Sequence, residues 1–435
     1  MTIFFTLNDK LYLLFCFLCL FLVTRSYYQE SYEKIWQKIL QQESAVISAT
    51  IFLYFLLISI LDSIHIQKEQ SYTLLDLFFF PLNQSLEFSY SKPLSVLAFI
   101  PKIAKDAQGM HQYYVHLNYV PRFFENNHQG HAWILKVVLI NACYYLGSIV
   151  TIGLIYKRKR MYWSRATLTA GLTILFLMWL TTILFEISRY FHVFGTGQIG
   201  QDIFYQATKS IRTGFFISFM TTLIILPFAL SFGLMAGYFG GKCDKAIQFV
   251  YTVINSIPSV LLIGASLLSL QMVQDRFFKH LSMNQQADIR LLVICILLGL
   301  TNWASLCRYI RAEVLKLREM NYIKAAKLLG SSPFFILRKH LLPNVMHLVI
   351  ISVVLDFSYY ILAESVLTYV GIGVSTATIS WGNIINAARL ELARVPVVWW
   401  PLVTAFGFMF TVVLVCNLLA DAVRKALNPK EEIYN

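Results

Sequence analysis

The chain has 435 residues, of which 57% are hydrophobic and only 14% charged, with a formal net charge of +13. Soluble domains carry about 25% charged residues, so a water-soluble globular domain is excluded and an all-α integral membrane protein in contact with lipid is expected. The positive charge does not require a nucleic-acid partner, because basic cytoplasmic loops give the same balance.

A helix crossing a bilayer needs about 20 mostly apolar residues. Nine stretches qualify: 11–23, 45–61, 133–156, 166–187, 215–239, 249–271, 291–306, 345–367 and 399–419. The first is short and reads as a signal anchor, since no small-residue cleavage site follows it. It holds Cys16 and Cys19, a lone Cys-x-x-Cys inside an apolar run. With no second pair, these thiols and the other five cysteines read as small apolar filler, and no disulfide framework is expected.

Segment 62–132 is long for a loop. It alternates polar and aromatic residues and contains Pro81, Pro93, Pro101 and Pro121, which reads as a small folded insert outside the membrane. His128 and His131 with a third ligand are conceivable as a metal site; solvated loop histidines are the simpler reading, and no metal is assigned. Residues 157–165, with Lys157, Arg158, Lys159, Arg160 and Arg165, and the basic stretch 308–344 both belong on the cytoplasmic side. Alternation then places 21 Lys and Arg in inside segments against 13 outside, with the C-terminus inside.

Gly195-Thr196-Gly197 and Gly200-Gln201-Asp202 precede the next span and read as a tight turn. Stretch 215–239 ends in Gly233-x-x-x-Gly237 and Gly240-Gly241, a spacing that lets helices approach closely. Gly240-Gly241-Lys242 lacks the earlier glycine and the Ser/Thr of a phosphate-binding loop, so no nucleotide site is expected. Pro258, in the first half of 249–271, predicts a kink in a helix that could line a pathway.

Residues 308–344 hold eight Lys or Arg against two Glu. Good helix formers run from 311 to 329, which predicts one unbroken helix. Gly330 suits a helix C-terminus that needs positive φ, and Ser332-Pro333 supplies an N-cap and first-turn proline for a second helix. Pro343 should end that helix near Leu341-Leu342. The expectation is a helix–turn–helix hairpin centred on Ala325-Ala326, with Leu328 and Leu329 as an apolar ridge. Docking into a groove on a soluble partner and a solvated loop that only fixes topology both fit. Stretch 345–367 then carries Asp356 and Glu364, costly in a span. They lie about 80° apart around a helix, so both could face one interior.

Ala325-Ala326, Gly330 and His340-Leu341-Leu342-Pro343-Asn344 together resemble the "EAA" loop of ABC-importer permeases, with Lys324 where that pattern has Glu. The likeness continues through Gly195–Asp202, Asp244, Pro258, Glu364 with Leu367, Tyr369, Gly371 and Gly373, then Ser380-Trp381-Gly382, Trp400-Pro401, and Asn417, Asp421, Arg424 and Pro429. This resemblance, to the dipeptide/oligopeptide/nickel branch, implies a six-helix type I permease core over 166–430. Residues 1–165 form an N-terminal extension of about three further spans with an extracytoplasmic insert. It implies that Tyr322, Lys324, Ala325, Ala326, Leu329, Gly330, Ser331 and Pro333 meet a cytoplasmic ATPase. It also implies a heterodimer with a second permease, two ATPase subunits that bind the ATP and Mg, and an extracytoplasmic solute-binding protein. The chain would then be a multi-pass inner-membrane transport subunit, with no cofactor or catalytic residue of its own.

Rival readings are the same machine carrying nickel, a glycoside or an antimicrobial peptide, and a proton-coupled secondary transporter using Asp356 and Glu364. The second would call for inverted repeats, which the sequence does not display. A membrane enzyme would need a catalytic constellation at one face, and none is apparent.

Overall fold

The structure is a computed structural model that describes residues 2–27, 30–67, 71–80, 82, 87–106, 109–159, 164–277 and 281–427. Among these residues, seven helices are long and apolar enough to cross a membrane: Glu43–Asp62, Asn127–Gly153, Arg165–Ser188, Ile203–Phe239, Met283–Leu317, Pro333–Tyr369 and Trp400–Leu427. Seven of the nine predicted stretches fall on them. The stretch 11–23 lies within α1 (Leu7–Tyr27).

The stretch 249–271 is not one straight span. Helices Gly241–Ser256 and Ser259–Gln274 meet at 76° across the break at Ile257-Pro258. The reason is local: Ile257 is extended (φ −93°, ψ 125°), the geometry forced on a residue that precedes proline. Pro258 therefore breaks the helix where a kink was expected.

The chain folds as two units. The first comprises Met1–Asp9, Trp36–Thr213 and Ile379–Val415. Here Thr2–Phe4 (β1), His65–Gln67 (β2) and Ser71–Thr73 (β3) form an antiparallel sheet in that order, with Ile3 opposite Ile66 and Ile66 opposite Tyr72. Lys102–Asp106 (β4) pairs with Gly109–Tyr113 (β5) as a hairpin. Segment 62–132 is thus folded, but its core is shared. Leu75, Phe79, Val96, Leu117 and Phe124 pack with Ile183, Ile187, Phe191 and Phe204 from later in the chain.

The glycine turn explains that packing. Gly195 and Gly200 have positive φ (72° and 75°), and a Cβ on Gly200 would lie 1.9 Å from the Glu87 carbonyl oxygen. The insert's backbone lies against the turn: Glu87 N–H donates to Gly200 O (3.1 Å) and Tyr90 N–H to Gly197 O (3.1 Å). Asp202 caps the following helix by accepting from Tyr205 N–H at 2.8 Å, and its other oxygen meets His192 Nδ1 at 2.7 Å. Trp381 and Trp400 are buried. Their indole N–H groups donate to Ala207 O (3.0 Å) and Thr196 O (3.1 Å).

The second unit comprises Lys10–Ile35, Gly214–Thr378 and Cys416–Asn435. Its packing rests on small residues. A Cβ on Gly233 would lie 2.8 Å from Ile310 Cβ, and one on Gly237 would lie 2.6 Å from Val314 Cβ, so the Gly-x-x-x-Gly face does bring two helices together. Phe357 packs edge-on to Phe215 and Phe219, each with centroids 5.1 Å apart.

Candidate functional site

The basic hairpin grows out of the long helix Met283–Leu317. The expected unbroken helix from 311 to 329 is interrupted. Residues 318–320 form a turn, Met320 is extended (φ −68°, ψ 145°), and a separate helix runs Asn321–Leu328. No Gly or Pro marks this break. Tertiary packing sets it, because Val314 on one helix and Ile323 and Ala326 on the other are all buried, and one straight rod would not seat both faces.

Gly330 closes the short helix as expected, at φ +78°. Ser331 N–H donates to Ala326 O (3.1 Å) and Gly330 N–H to Lys327 O (3.0 Å), the paired bonds that satisfy a helix end when the next residue is left-handed. Ser332 then caps Pro333–Ile336, its hydroxyl accepting from Phe335 N–H at 3.3 Å.

The second helix does not stop at Pro343. A π-helical turn, Leu337–Leu341, leads into helix Leu342–Tyr369, and Leu342 N–H reaches back five residues to Leu337 O. The wider turn gives the Pro343 ring room that an α-turn would deny it. Asn344 explains the rest of its motif: its amide donates to His340 O (2.6 Å) and to the Tyr322 hydroxyl (3.3 Å), tying the two arms together.

Of the residues singled out from sequence, Tyr322, Lys324, Ala325, Leu329, Gly330 and Pro333 are exposed, Ser331 is half-buried, and Ala326 is buried. The small-residue pair is therefore split: Ala326 seats the hairpin on its own unit. The outward feature is an apolar ridge, with Leu328 89%, Leu329 85% and Phe334 71% exposed. Lys324 lies 3.3 Å from Glu319. Its hydrogen bond, helped by one from Arg318, holds the Glu319 carboxyl below the usual range.

The stem beneath is braced. Arg311 grips Asp244 with two hydrogen bonds, Nε to Oδ1 at 2.5 Å and Nη2 to Oδ2 at 2.7 Å, the planar fork that makes such pairs strong. Arg318 Nη1 donates to Gly237 O at 3.3 Å. These bonds tie the hairpin's stem to the helices carrying Gly237 and Asp244.

The two carboxylates of Leu342–Tyr369 separate. Glu364 is buried and accepts from Thr368 (2.8 Å) and Ser365 (3.3 Å). Thr368 Oγ1 in turn accepts from Val374 N–H at 3.3 Å, so Glu364 pins the turn after the span. Asp356 is half-buried, and no hydrogen bond or ion pair to its carboxylate is found among the described residues. Pro258 is exposed at the 76° break.

Sequence reading missed a buried ion cluster in the first unit. Lys209 Nζ lies 2.6 Å from Asp76 and 3.7 Å from Asp62, and the Tyr205 hydroxyl donates to Asp76 at 2.7 Å. Arg212 pairs with Asp9, which also meets His65 at 3.0 Å. Burial raises the Asp76 carboxyl, but the Lys209 charge together with hydrogen bonds from Lys209, Thr73 and Tyr205 outweighs it, and the group titrates below its usual value. The only sequence signal was Lys209 and Arg212 lying three apart near the start of a span.

Residues 229–433 match the family described as the binding-protein-dependent transport system inner membrane component. The dipeptide transport system permease protein DppC of Bacillus subtilis is 30% identical over 239 residues, covering 55% of this chain and 69% of that protein. The chain belongs to this permease family. The oligopeptide transport system permease proteins OppC of Bacillus subtilis (28%, 72% of that protein) and Mycobacterium bovis (29%, 76% of that protein) each align over 55% of this chain. It is an inner-membrane, multi-pass permease subunit of an ATP-binding-cassette importer, a machine in which separate subunits hydrolyse ATP. The hairpin, Pro258, Asp356 and Glu364 all lie inside the matched residues.

Proposed function

We propose that this permease carries peptides inward as one half of a heterodimeric path. It receives them from an extracytoplasmic binding protein and couples to two cytoplasmic ATPase subunits through the 308–344 hairpin. The observation that carries this reading is the exposed Leu328, Leu329 and Phe334 ridge on a hairpin whose stem is braced by Arg311–Asp244. Exposed leucines on a charged loop are a cost in water and a gain in an apolar groove. ATP and Mg would be bound by the partner subunits. The names of the aligned DppC and OppC proteins support peptides as cargo. In this reading the hairpin and the C-terminus are cytoplasmic, and closure of the ATPase pair pushes the hairpin, which moves the helices it is braced against.

Co-purification with the ATPase subunits tests the docking surface. Leu328→Ala with Leu329→Ala should leave insertion intact. Losing two buried leucines' worth of contact, about 1.5–2 kcal/mol each, should weaken ATPase binding by roughly 100-fold or more. Unchanged ATPase capture by the double variant would sink the hairpin as the docking site.

A further inference from the structure

Helix Leu342–Tyr369 carries two carboxylates inside a span, and the fold treats them in opposite ways. Glu364 is buried and bonded to the hydroxyls of Ser365 and Thr368. Asp356 is half-buried, and among the described residues no hydrogen bond or ion pair to its carboxylate is found. A carboxylate at mid-span costs about 2.5–3.5 kcal/mol on insertion scales, and nothing in the packing returns that cost. The packing is done by its neighbours: Phe357 packs edge-on against the rings of Phe215 and Phe219, and Ser358 donates to Asn417 Oδ1 at 3.2 Å.

The helix also has a side that is exposed among the described residues. Leu355, Tyr359, Leu362, Val366 and Tyr369 are all exposed. Their alternating spacing of four and three puts them in one stripe, and at about 100° per residue Asp356 lies about 60° from Tyr359 at its margin. An unpaired carboxylate one turn from an exposed phenol ring offers charge pairing and an aromatic face. Both select a cation, and a primary ammonium above all. A single charge and a single ring also release what they bind, as conduction requires.

We infer that Asp356 and Tyr359 form a recognition point on the translocation path for the primary ammonium group of the transported solute. The inference rests on the peptide reading above, where that group is either the free N-terminus or a lysine side chain. Glu364, already satisfied, takes no part.

The test uses the complete importer in proteoliposomes, with the binding protein supplied in excess. Three tripeptides are compared: one neutral with a free N-terminus, its N-acetylated form, and an N-acetylated form containing lysine. Asp356→Asn should lower ATP-driven uptake of an ammonium-bearing peptide about tenfold while sparing the acetylated neutral one, and Asp356→Glu should restore it. Loss for the free N-terminus alone, or for the lysine peptide alone, identifies the source of the ammonium. Equal loss for all three, or no loss, overturns the inference. A second measurement is independent of the cargo: the Asp356→Cys variant should react with a water-soluble cationic thiol reagent above the level of the parent chain. Absence of that excess overturns the inference as well. An importer that takes up none of the peptides, yet labels at this position, overturns the peptide reading and with it the assignment of the ammonium to a peptide, whereas absent labelling overturns the recognition point itself.

Discussion

Gly237→Ala tests whether close helix contact sets the hairpin's position. The added Cβ would lie 2.6 Å from Val314 Cβ, 2.7 Å from Val314 Cγ1 and 3.0 Å from Arg311 O. Two of these atoms lie on the Cβ and backbone of the facing helix, so no rotamer change relieves the overlap and the helices must separate. Overpacking of this kind costs about 1–3 kcal/mol. Gly237 lies in the last turn of its helix, where removing a glycine returns at most about 0.5 kcal/mol, leaving a net loss of roughly 0.5–3 kcal/mol. Gly171→Ala is the control, because nothing lies within 4 Å of a Cβ there and only the helix gain applies. Thermal unfolding of the purified permease should show Gly237→Ala less stable than wild type and Gly171→Ala equal or more stable. Because Gly237 O also accepts from Arg318, transport by Gly237→Ala should fall further than its stability loss explains. A Gly237→Ala protein as stable and active as wild type would refute the reasoning.

Lys209→Met should cost about 3–5 kcal/mol, since it leaves the Asp62 and Asp76 carboxylates buried without their cation. Adding Asp76→Asn should recover part of the loss in the same unfolding assay, and an unchanged melting temperature in the single variant would contradict the ion cluster. Thr368→Val removes both the donor to Glu364 and the acceptor for Val374 N–H. A loss of about 1–3 kcal/mol is expected, with raised hydrogen exchange at Val374, and unaltered exchange there would show that Glu364 does not pin the turn.

Much of this fold was legible because its signals are local. Long apolar runs have one solution in a bilayer, a helix that satisfies its own backbone. Gly330 and Ser332-Pro333 acted as read, since left-handed φ and N-capping are properties of a few adjacent residues. The Gly233-x-x-x-Gly237 spacing also carried its meaning, because small residues one turn apart present a flat face whatever they meet.

What the sequence left open depends on partners far along the chain. The break at 318–320 has no breaker residue; it exists because Val314 and Ala326 must both be buried. Pro343 stops a helix only when the preceding turn is α, and the π turn at Leu337–Leu341 removes that condition. Ala325 and Ala326 look identical in sequence, and rotation of one short helix buries one and exposes the other. Glu364 and Asp356 looked like a pair until Thr368 and Ser365 were seen to satisfy only the first. Asp9, Asp62 and Asp76 find Arg212 and Lys209 more than 130 residues away. Local chemistry fixed the helices, their caps and the family motif; long-range packing and charge compensation decided which of their residues are spent on the fold and which remain free to bind.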